Sequence, residues 1–240
     1  MEAPTKLAAR LSAQAASLHP SDRLKALRSA LVGEIVFTTR FGAEDQAITH
    51  LIATGQLDIS IVTLDTGRLF PATYDVWAQT EARYGIRIRP FCPDADALEN
   101  LMMEQGVNGF YKSVAARKAC CEIRKGDPLN LALVEATGWV TAERAPHPKP
   151  GQTPSFVSLD HTRKLVKMDP LFDWTPEQTL AFARDNRIPL HDLQAKGFVS
   201  MGCAPCTRAI DPMKPELSPH WWWEDESGPR ETGGGRNLGS

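Results

Sequence analysis

Apolar positions recur along this chain with two different periods, and the switches between them mark out alternating helices and strands. Over residues 5–32, Leu7, Leu11, Leu18, Leu24, Leu27 and Leu31 fall roughly on one helical face, and Pro20-Ser21-Asp22 divides the stretch into two helices. Glu34-Ile35-Val36-Phe37-Thr38-Thr39 is a short β-branched run suited to a buried strand. It ends at Arg40-Phe41-Gly42-Ala43. There Glu44 and Asp45 open an amphipathic helix through Ile48, Leu51 and Ile52, with acids at the positive end of its dipole. The unit then repeats: a strand at 59–64, a turn at Asp65-Thr66-Gly67-Arg68, a helix from Pro71 to Tyr84, a strand at 86–91 and a further strand at 138–142. Strands alternating with helices of this length predict an α/β fold with a parallel twisted sheet and flanking helices.

In such a sheet the ligand crevice lies beyond the carboxyl ends of the strands. Those ends carry Thr38, Thr39 and Gly42, then Leu64, Asp65 and Gly67, then Thr141 and Arg144, which makes them the positions to inspect for nucleotide binding. Asp65 suits the cap of its own turn better than a ribose contact. From Ala145 onward, Pro146, Pro148, Pro150, Gly151 and Pro154 predict a loop, followed by a strand near Lys164-Leu165-Val166 and a helix from about Thr175 to Asn186. Four prolines and Gly233-Gly234-Gly235 in the last thirty residues predict an irregular tail. The expected division is therefore one α/β domain over 1–215 and a tail over 216–240.

Composition narrows the function. Apolar residues make up 42% and charged residues 23% of 240, with 27 bases against 29 acids, so no whole-chain field draws nucleic acid or an anionic membrane. Any anion site must be local. No apolar run approaches the ~18 residues of a membrane helix and no secretory signal is evident, so a reducing cytoplasm is the expected compartment.

The five cysteines carry the candidate chemistry. Cys92 stands alone and reads as a small core hydrophobe. Cys120 and Cys121 are adjacent, and Cys203 and Cys206 form a C-x-x-C after 81 intervening residues. Two tight pairs in a reducing compartment point to a metal or cluster. Zinc pairs are usually separated by two to four residues, and an iron–sulfur cluster with a separate corner for each thiolate accommodates adjacent cysteines better. Arg124, Lys125, Thr207 and Arg208 supply cations and hydrogen-bond donors around such an anionic centre. His50 and His191 read as structural. Trp221-Trp222-Trp223 reads equally as tail packing or as a stacking platform for a base.

Five motifs together resemble one family. Gly-Ala-Glu-Asp-Gln at 42–46, Leu-Asp-Thr-Gly-Arg-Leu at 64–69, Cys-Cys-Glu-Ile-Arg-Lys at 120–125, Gly-Cys-Ala-Pro-Cys-Thr-Arg at 202–208 and Trp-Trp-Trp-Glu at 221–224 are similar, in order and spacing, to the assimilatory adenylyl-sulfate/phosphoadenylyl-sulfate reductases. The resemblance implies a fold of the adenine-nucleotide α-hydrolase, ATP-pyrophosphatase type. It also implies a 4Fe-4S cluster on Cys120, Cys121, Cys203 and Cys206, with substrate-binding positions at Thr38, Thr39, Gly42, Asp45, Leu64, Gly67, Lys125 and Arg144. The implied reaction has a tail cysteine attack the sulfur of adenylyl sulfate to release AMP, after which thioredoxin frees sulfite. A second copy of the chain is a further candidate partner.

The chain departs from that pattern where substrate is captured and attacked. The expected Glu-Cys-Gly-Leu-His after the Trp triplet is missing, no cysteine follows Cys206, and the nearest counterparts are Ser227 and Thr232. Hydroxyls lack the acidity and exchange chemistry of a thiol. Position 40 is Arg40 where the family's phosphate loop usually has Ser, Arg144 is followed by Ala145-Pro146-His147-Pro148, and Leu217 and His220 stand where arginines are expected. Two readings follow. One is a reductase with an altered tail that uses a thiol supplied by a partner chain; the other is a non-reducing, cluster-bearing nucleotide-binding paralogue with a sulfur-transfer, regulatory or subunit role.

Overall fold

The computed structural model describes residues 4–15, 17–142, 156–210 and 218–225. Two helices, α1 (Pro4–Ala15) and α2 (Pro20–Ala30), lead into β1 (Glu34–Thr39), α3 (Ala43–Thr54), β2 (Ser60–Leu64), α4 (Pro71–Tyr84) and β3 (Arg89–Phe91). Three further helices follow, α5 (Ala95–Gln105), α6 (Val114–Cys121) and α7 (Asp127–Leu133), before β4 (Ala136–Val140). β5 (Val157–Asp160), β6 (Leu165–Met168), α8 (Pro176–Asp185) and the short α9 (Trp222–Asp225) complete the chain order. The boundaries have local causes. Pro20, Pro71 and Pro176 each sit in a first turn, Gly85 ends α4 at φ +63°, and Thr175 with Gln178 forms a capping box on α8.

The six strands lie in the order β3-β2-β1-β4-β6-β5. Every neighbouring pair is parallel except β5 with β6. The sheet is thus mostly parallel, as expected, with one antiparallel pair at its edge. β5 and β6 are joined by too few residues for a crossover and return as a hairpin, which only antiparallel strands allow. The third strand is also shorter than the sequence suggests. Glu81 Oε1 accepts the Ile88 N–H at 2.8 Å and takes it out of the ladder, and pairing with β2 runs over Arg89–Phe91.

Alternation along β1 sends Ile35 and Phe37 to one face and Val36 to the other. The first face is covered by Leu7, Leu11, Leu24, Leu27, Ile48 and their neighbours; the second packs under Leu129 and Leu133 of α7 with Trp139. Arg23, only 2% exposed, clamps α2 to the segment after β6: two guanidinium N–H groups donate to the Asp173 carboxylate at 2.7 Å each, and another donates to Pro170 O. Among the described residues no helix is long and apolar enough to cross a membrane.

The winding places the site. From β1 the chain proceeds outward to β2 and β3 on one side and resumes at β4 on the other, so the order reverses between β1 and β4. A crevice opens beyond the carboxyl ends at such a switch point.

Candidate active site at the sheet switch point

Thr39 ends β1, and the next three residues turn sharply into α3. Phe41 takes the left-handed conformation at φ +63° and is fully buried, its ring stacked on Trp77. Asp45 Oδ2 accepts the N–H groups of Arg40 (3.1 Å) and Gly42 (3.0 Å), and Thr39 Oγ1 accepts that of Phe41 (3.1 Å). The loop's own amides are thus satisfied from within, and Asp45, 4% exposed, faces inward with its Oδ1 unpartnered. Burial raises the Asp45 pKa, opposed by the charge of Arg40. A cleft lies against this turn, bounded by Arg40, Gly42 and Glu44 on one side, Ala142 beyond β4 on another, and Gln194 and Ser200 on the third.

The remaining sequence-derived positions fall around the same edge. Thr38 Oγ1 accepts Trp139 Nε1–H at 3.0 Å, which holds β1 to β4. Leu64 ends β2. Asp65 caps its own turn as expected, accepting the Gly67 N–H at 2.9 Å and the Tyr74 hydroxyl at 2.8 Å. Gly67 is left-handed at φ +67°, which favours a residue without Cβ. The expectations placed on Arg144, His147, Leu217, Ser227 and Thr232, and the domain boundary at 215, lie outside the described residues.

A second centre adjoins the β2 end. α6 runs through Cys120 and Cys121 into a π turn, Glu122–Gly126, which widens the helix before α7. Cys203 and Cys206 lie on a 3-10 turn, Ala204–Cys206, strapped to the loop after β2. Ala204 N–H donates to Arg68 O at 2.8 Å, Cys203 Sγ–H to Thr66 Oγ1 at 3.3 Å, and Arg124 reaches Thr66 O. Cys203 and Cys206 are buried with Phe110, and Cys120, Trp221 and Trp223 pack against them. The Trp segment closes this centre: Trp221 N–H donates to Cys206 O, Trp221 lies under the Arg117 guanidinium at 4.2 Å, and Arg117 pairs with Glu224. Trp221 and Trp223 thus pack against the cysteine centre. Cys92 corrects its own expectation: it sits exposed at the end of the edge strand β3, not in a core.

A model of the phosphoadenosine phosphosulfate reductase domain matches residues 34–209, the span that contains the β1–α3 turn and all four paired cysteines. The chain belongs to this family. Similar proteins include the adenosine 5'-phosphosulfate reductases of Agrobacterium fabrum, 44% identical over 218 residues (91% of this chain, 84% of that one), and of Allochromatium vinosum, 41% identical over 191 residues (80% and 75%). A crystal structure of phosphoadenylyl-sulfate reductase from Candida auris in a phosphate complex superposes with a TM-score of 0.72 at 20% identity, covering 84% of this chain and 96% of that one; at that identity the likeness concerns the fold.

The electrostatics of this reductase-family chain separate the two centres. Burial pushes Cys206 up to about 12, with the neighbouring Cys203 adding to the shift and Lys125 opposing it. Burial likewise raises Cys120, opposed by Arg124 and reinforced by Cys121 and Cys203. The sulfurs of Cys120 and Cys206 therefore feel the other cysteines around them, and burial disfavours their thiolates. Among the described residues no three His, Cys, Asp or Glu side chains close around a single point as ligands of one ion would. Arg124 Nε is buried beside them without a partner. His220 is held neutral, its pKa lowered to about 4 by burial and then by Lys125; its ring meets Ser200 Oγ at 3.0 Å and Thr207 Oγ1 at 3.2 Å, so it bridges the cleft to the cysteine turn. Ser200, Gln194 and Arg117 were not singled out in the sequence, since no local motif marks them. Thr66 was legible inside Leu-Asp-Thr-Gly.

His50 and His191 are both held by side-chain contacts within the fold. His191 is 1% exposed, meets Thr73 Oγ1 at 2.9 Å and accepts the Leu193 N–H; His50 meets the Tyr84 hydroxyl at 3.0 Å.

Proposed function

We propose that this protein is an adenylyl-sulfate reductase of sulfate assimilation, converting adenylyl sulfate to sulfite and AMP in a reducing cytoplasm at the expense of a thioredoxin-like dithiol. The carrying observation is the identity of 44% over 91% of the chain with a relative bearing that activity's name. The alternative of a non-reducing paralogue has no comparable support.

The chemistry divides between the two centres. In the first step a thiolate supplied by a partner chain or an added small thiol, since no cysteine follows Cys206, attacks the sulfate sulfur, the bond from that sulfur to the bridging oxygen breaks, and AMP leaves with the electron pair. In the second, a dithiol reduces the resulting S-sulfonate, forming its own disulfide, freeing sulfite and restoring the attacking thiol. The β1–α3 turn and the ends of β2 and β4 bind the nucleotide, with Thr38, Thr39, Gly42, Asp45, Leu64 and Gly67 shaping the crevice and Arg144 following β4. Lys125 acts between the crevice and the cysteines.

Cys120, Cys121, Cys203 and Cys206 would hold a 4Fe-4S cluster. Their donor set fits by its chemistry: four soft sulfurs, adjacent in one pair and flanked by Arg124, whose buried Nε has no partner. When bound, the cluster supplies an anionic, polarisable centre that ties α6 to the 203–206 turn. Arg124 and Lys125 offset that charge from the chain's side.

The test is direct. Anaerobically purified protein is incubated with adenylyl sulfate, thioredoxin, thioredoxin reductase and NADPH, with and without a small thiol. AMP and sulfite in equal amounts support the assignment, and cluster-loaded protein that yields neither product under either condition refutes it.

A further inference from the structure

The chain from Ser200 to Thr207 doubles back around one side chain, His220 of the tail segment. Ser200 and Met201 line the cleft, while Cys203 and Cys206 lie further along the same stretch. Main-chain contacts lay the tail along the cysteine turn: Arg208 N–H donates to Pro219 O at 2.9 Å, Trp221 N–H donates to Cys206 O at 3.3 Å, and Thr207 pairs with His220. The ring then works in two directions. Thr207 Oγ1–H is spent on Cys203 O at 2.9 Å, so its oxygen accepts and His220 Nδ1–H donates at 3.2 Å, with Cys206 O sharing that hydrogen at 3.4 Å. Nε2 of the neutral ring is left as the acceptor, and it takes the Ser200 Oγ–H at 3.0 Å. The fit is close. A Cβ on Gly202 would lie 3.1 Å from His220 Cε1 and 3.0 Å from Thr207 Oγ1, so position 202 has no room for a side chain.

We propose that His220 is a positioning residue for the nucleotide cleft: it clasps the wall at Ser200 and Met201 to the turn that bears Cys203 and Cys206, and acts on a ligand only through that wall. The inference rests on the nucleotide-binding part of the reductase reading. Ser200 is the held end of the clasp, because its hydrogen is committed to the ring and is not offered to a ligand. An imidazole suits the task because one rigid ring presents a donor and an acceptor on different sides, whereas an arginine at this position would present donors alone.

Calorimetric titration of the cluster-loaded full chain with AMP tests it, well below the thermal midpoints, using wild type, Ser200→Ala, His220→Asn, His220→Gln and the Ser200→Ala/His220→Asn double variant. An asparagine amide reaches the place of Nδ1 and keeps Thr207; a glutamine amide reaches the place of Nε2 and keeps Ser200. Ser200→Ala and His220→Asn are each expected to weaken AMP about threefold to tenfold, the double variant no further than the weaker-binding single, and His220→Gln to recover part of the loss. Iron content should match wild type throughout, because the main-chain contacts that lay the tail along the cysteine turn do not involve the ring. Losses that multiply in the double variant overturn the clasp, since Ser200 and His220 would then act independently. Wild-type affinity in His220→Asn, or an equal loss in the Asn and Gln variants, also overturns it. A loss of iron that accompanies the loss of affinity assigns the effect to the cysteine centre and overturns the role at the cleft. Wild type that binds no AMP removes both conclusions, whereas binding without sulfite formation removes the reductase reading alone.

Discussion

The Sγ of Cys203 lies 3.3 Å from the Oγ1 of Thr66, joining the turn that carries two of the four thiols to the loop that leaves β2. Thr66 is 2% exposed, and its carbonyl also takes Arg124. One residue of the crevice loop thus touches both cysteine-bearing segments, through a sulfur on one side and a guanidinium on the other. Thr66→Val keeps the carbonyl contact and removes the hydroxyl, at a cost of roughly 1–2 kcal/mol for a buried hydrogen bond. The expected outcome is a protein with unchanged far-UV circular dichroism, a lowered thermal midpoint and less bound iron per chain. Iron content equal to wild type would show that the hydroxyl is not needed to seat the cysteine turn.

The five cysteines should separate cleanly by spectroscopy. Cys203→Ser removes a buried sulfur packed against Phe110 and beside three other thiols, so visible absorbance and iron are expected to be lost. Cys92→Ser changes an exposed position at the end of an edge strand and should leave both untouched. A colourless wild type that contains zinc would contradict the cluster assignment while leaving the family unaffected.

Acid stability should report the clamp between Arg23 and Asp173. Hydrogen bonds from Arg23 hold the Asp173 carboxyl below its ordinary value of 3.8, against the effect of burial. A depressed folded value means that the unfolded chain binds its proton first as the pH falls. The stabilisation is therefore present in full above about pH 4 and is lost as the pH drops through the lower folded value. Asp173→Asn is expected to cost roughly 1–3 kcal/mol at pH 7, a modest sum because Asp173 is 44% exposed on its side chain while Arg23 is not. Thermal midpoints measured from pH 7 to 3 should converge for wild type and variant at the acid end; a constant gap would show that the ion pair does not carry the effect.

Much of this architecture was legible because its signals are local. β1, β2 and α4 follow from β-branched runs and Pro-led helices, and their residue patterns suffice to bury one face. α5 was not legible for the same reason: of its residues only Leu101 is buried, so its apolar stripe is faint. β5 alternates over only four residues and pairs antiparallel because of a short turn, which composition does not announce. The cysteine pairs and the Leu-Asp-Thr-Gly turn could be read as a site from spacing. The far side of the cleft could not, since Gln194 and Ser200 come near the β1–α3 turn only through tertiary packing. Cys92 was misplaced because a lone apolar-leaning residue beside Phe91 gives no hint of which end of an edge strand it occupies.

The last prediction concerns the missing thiol. Four cysteines are spoken for by the proposed cluster, Cys92 has its thiol raised by burial and by Asp65, and the nearest counterparts of the family's tail cysteine are Ser227 and Thr232, the latter between Glu231 and Gly233. A threonine hydroxyl can neither ionise near neutral pH nor form a bond that a dithiol cleaves by exchange. The protein as it stands should therefore bind adenylyl sulfate yet release AMP at a rate that depends on added thiol. Thr232→Cys should remove that dependence and raise AMP release without added thiol by at least about tenfold, equivalent to about 1.4 kcal/mol of barrier. Intact-mass spectrometry after incubation with adenylyl sulfate, before any reductant is added, should show a sulfonate adduct on residue 232 of the variant. An adduct on Cys92 of the wild type in its place would mean that this chain has moved its nucleophile to the end of β3, and AMP release would then persist in wild type without added thiol and vanish in Cys92→Ser.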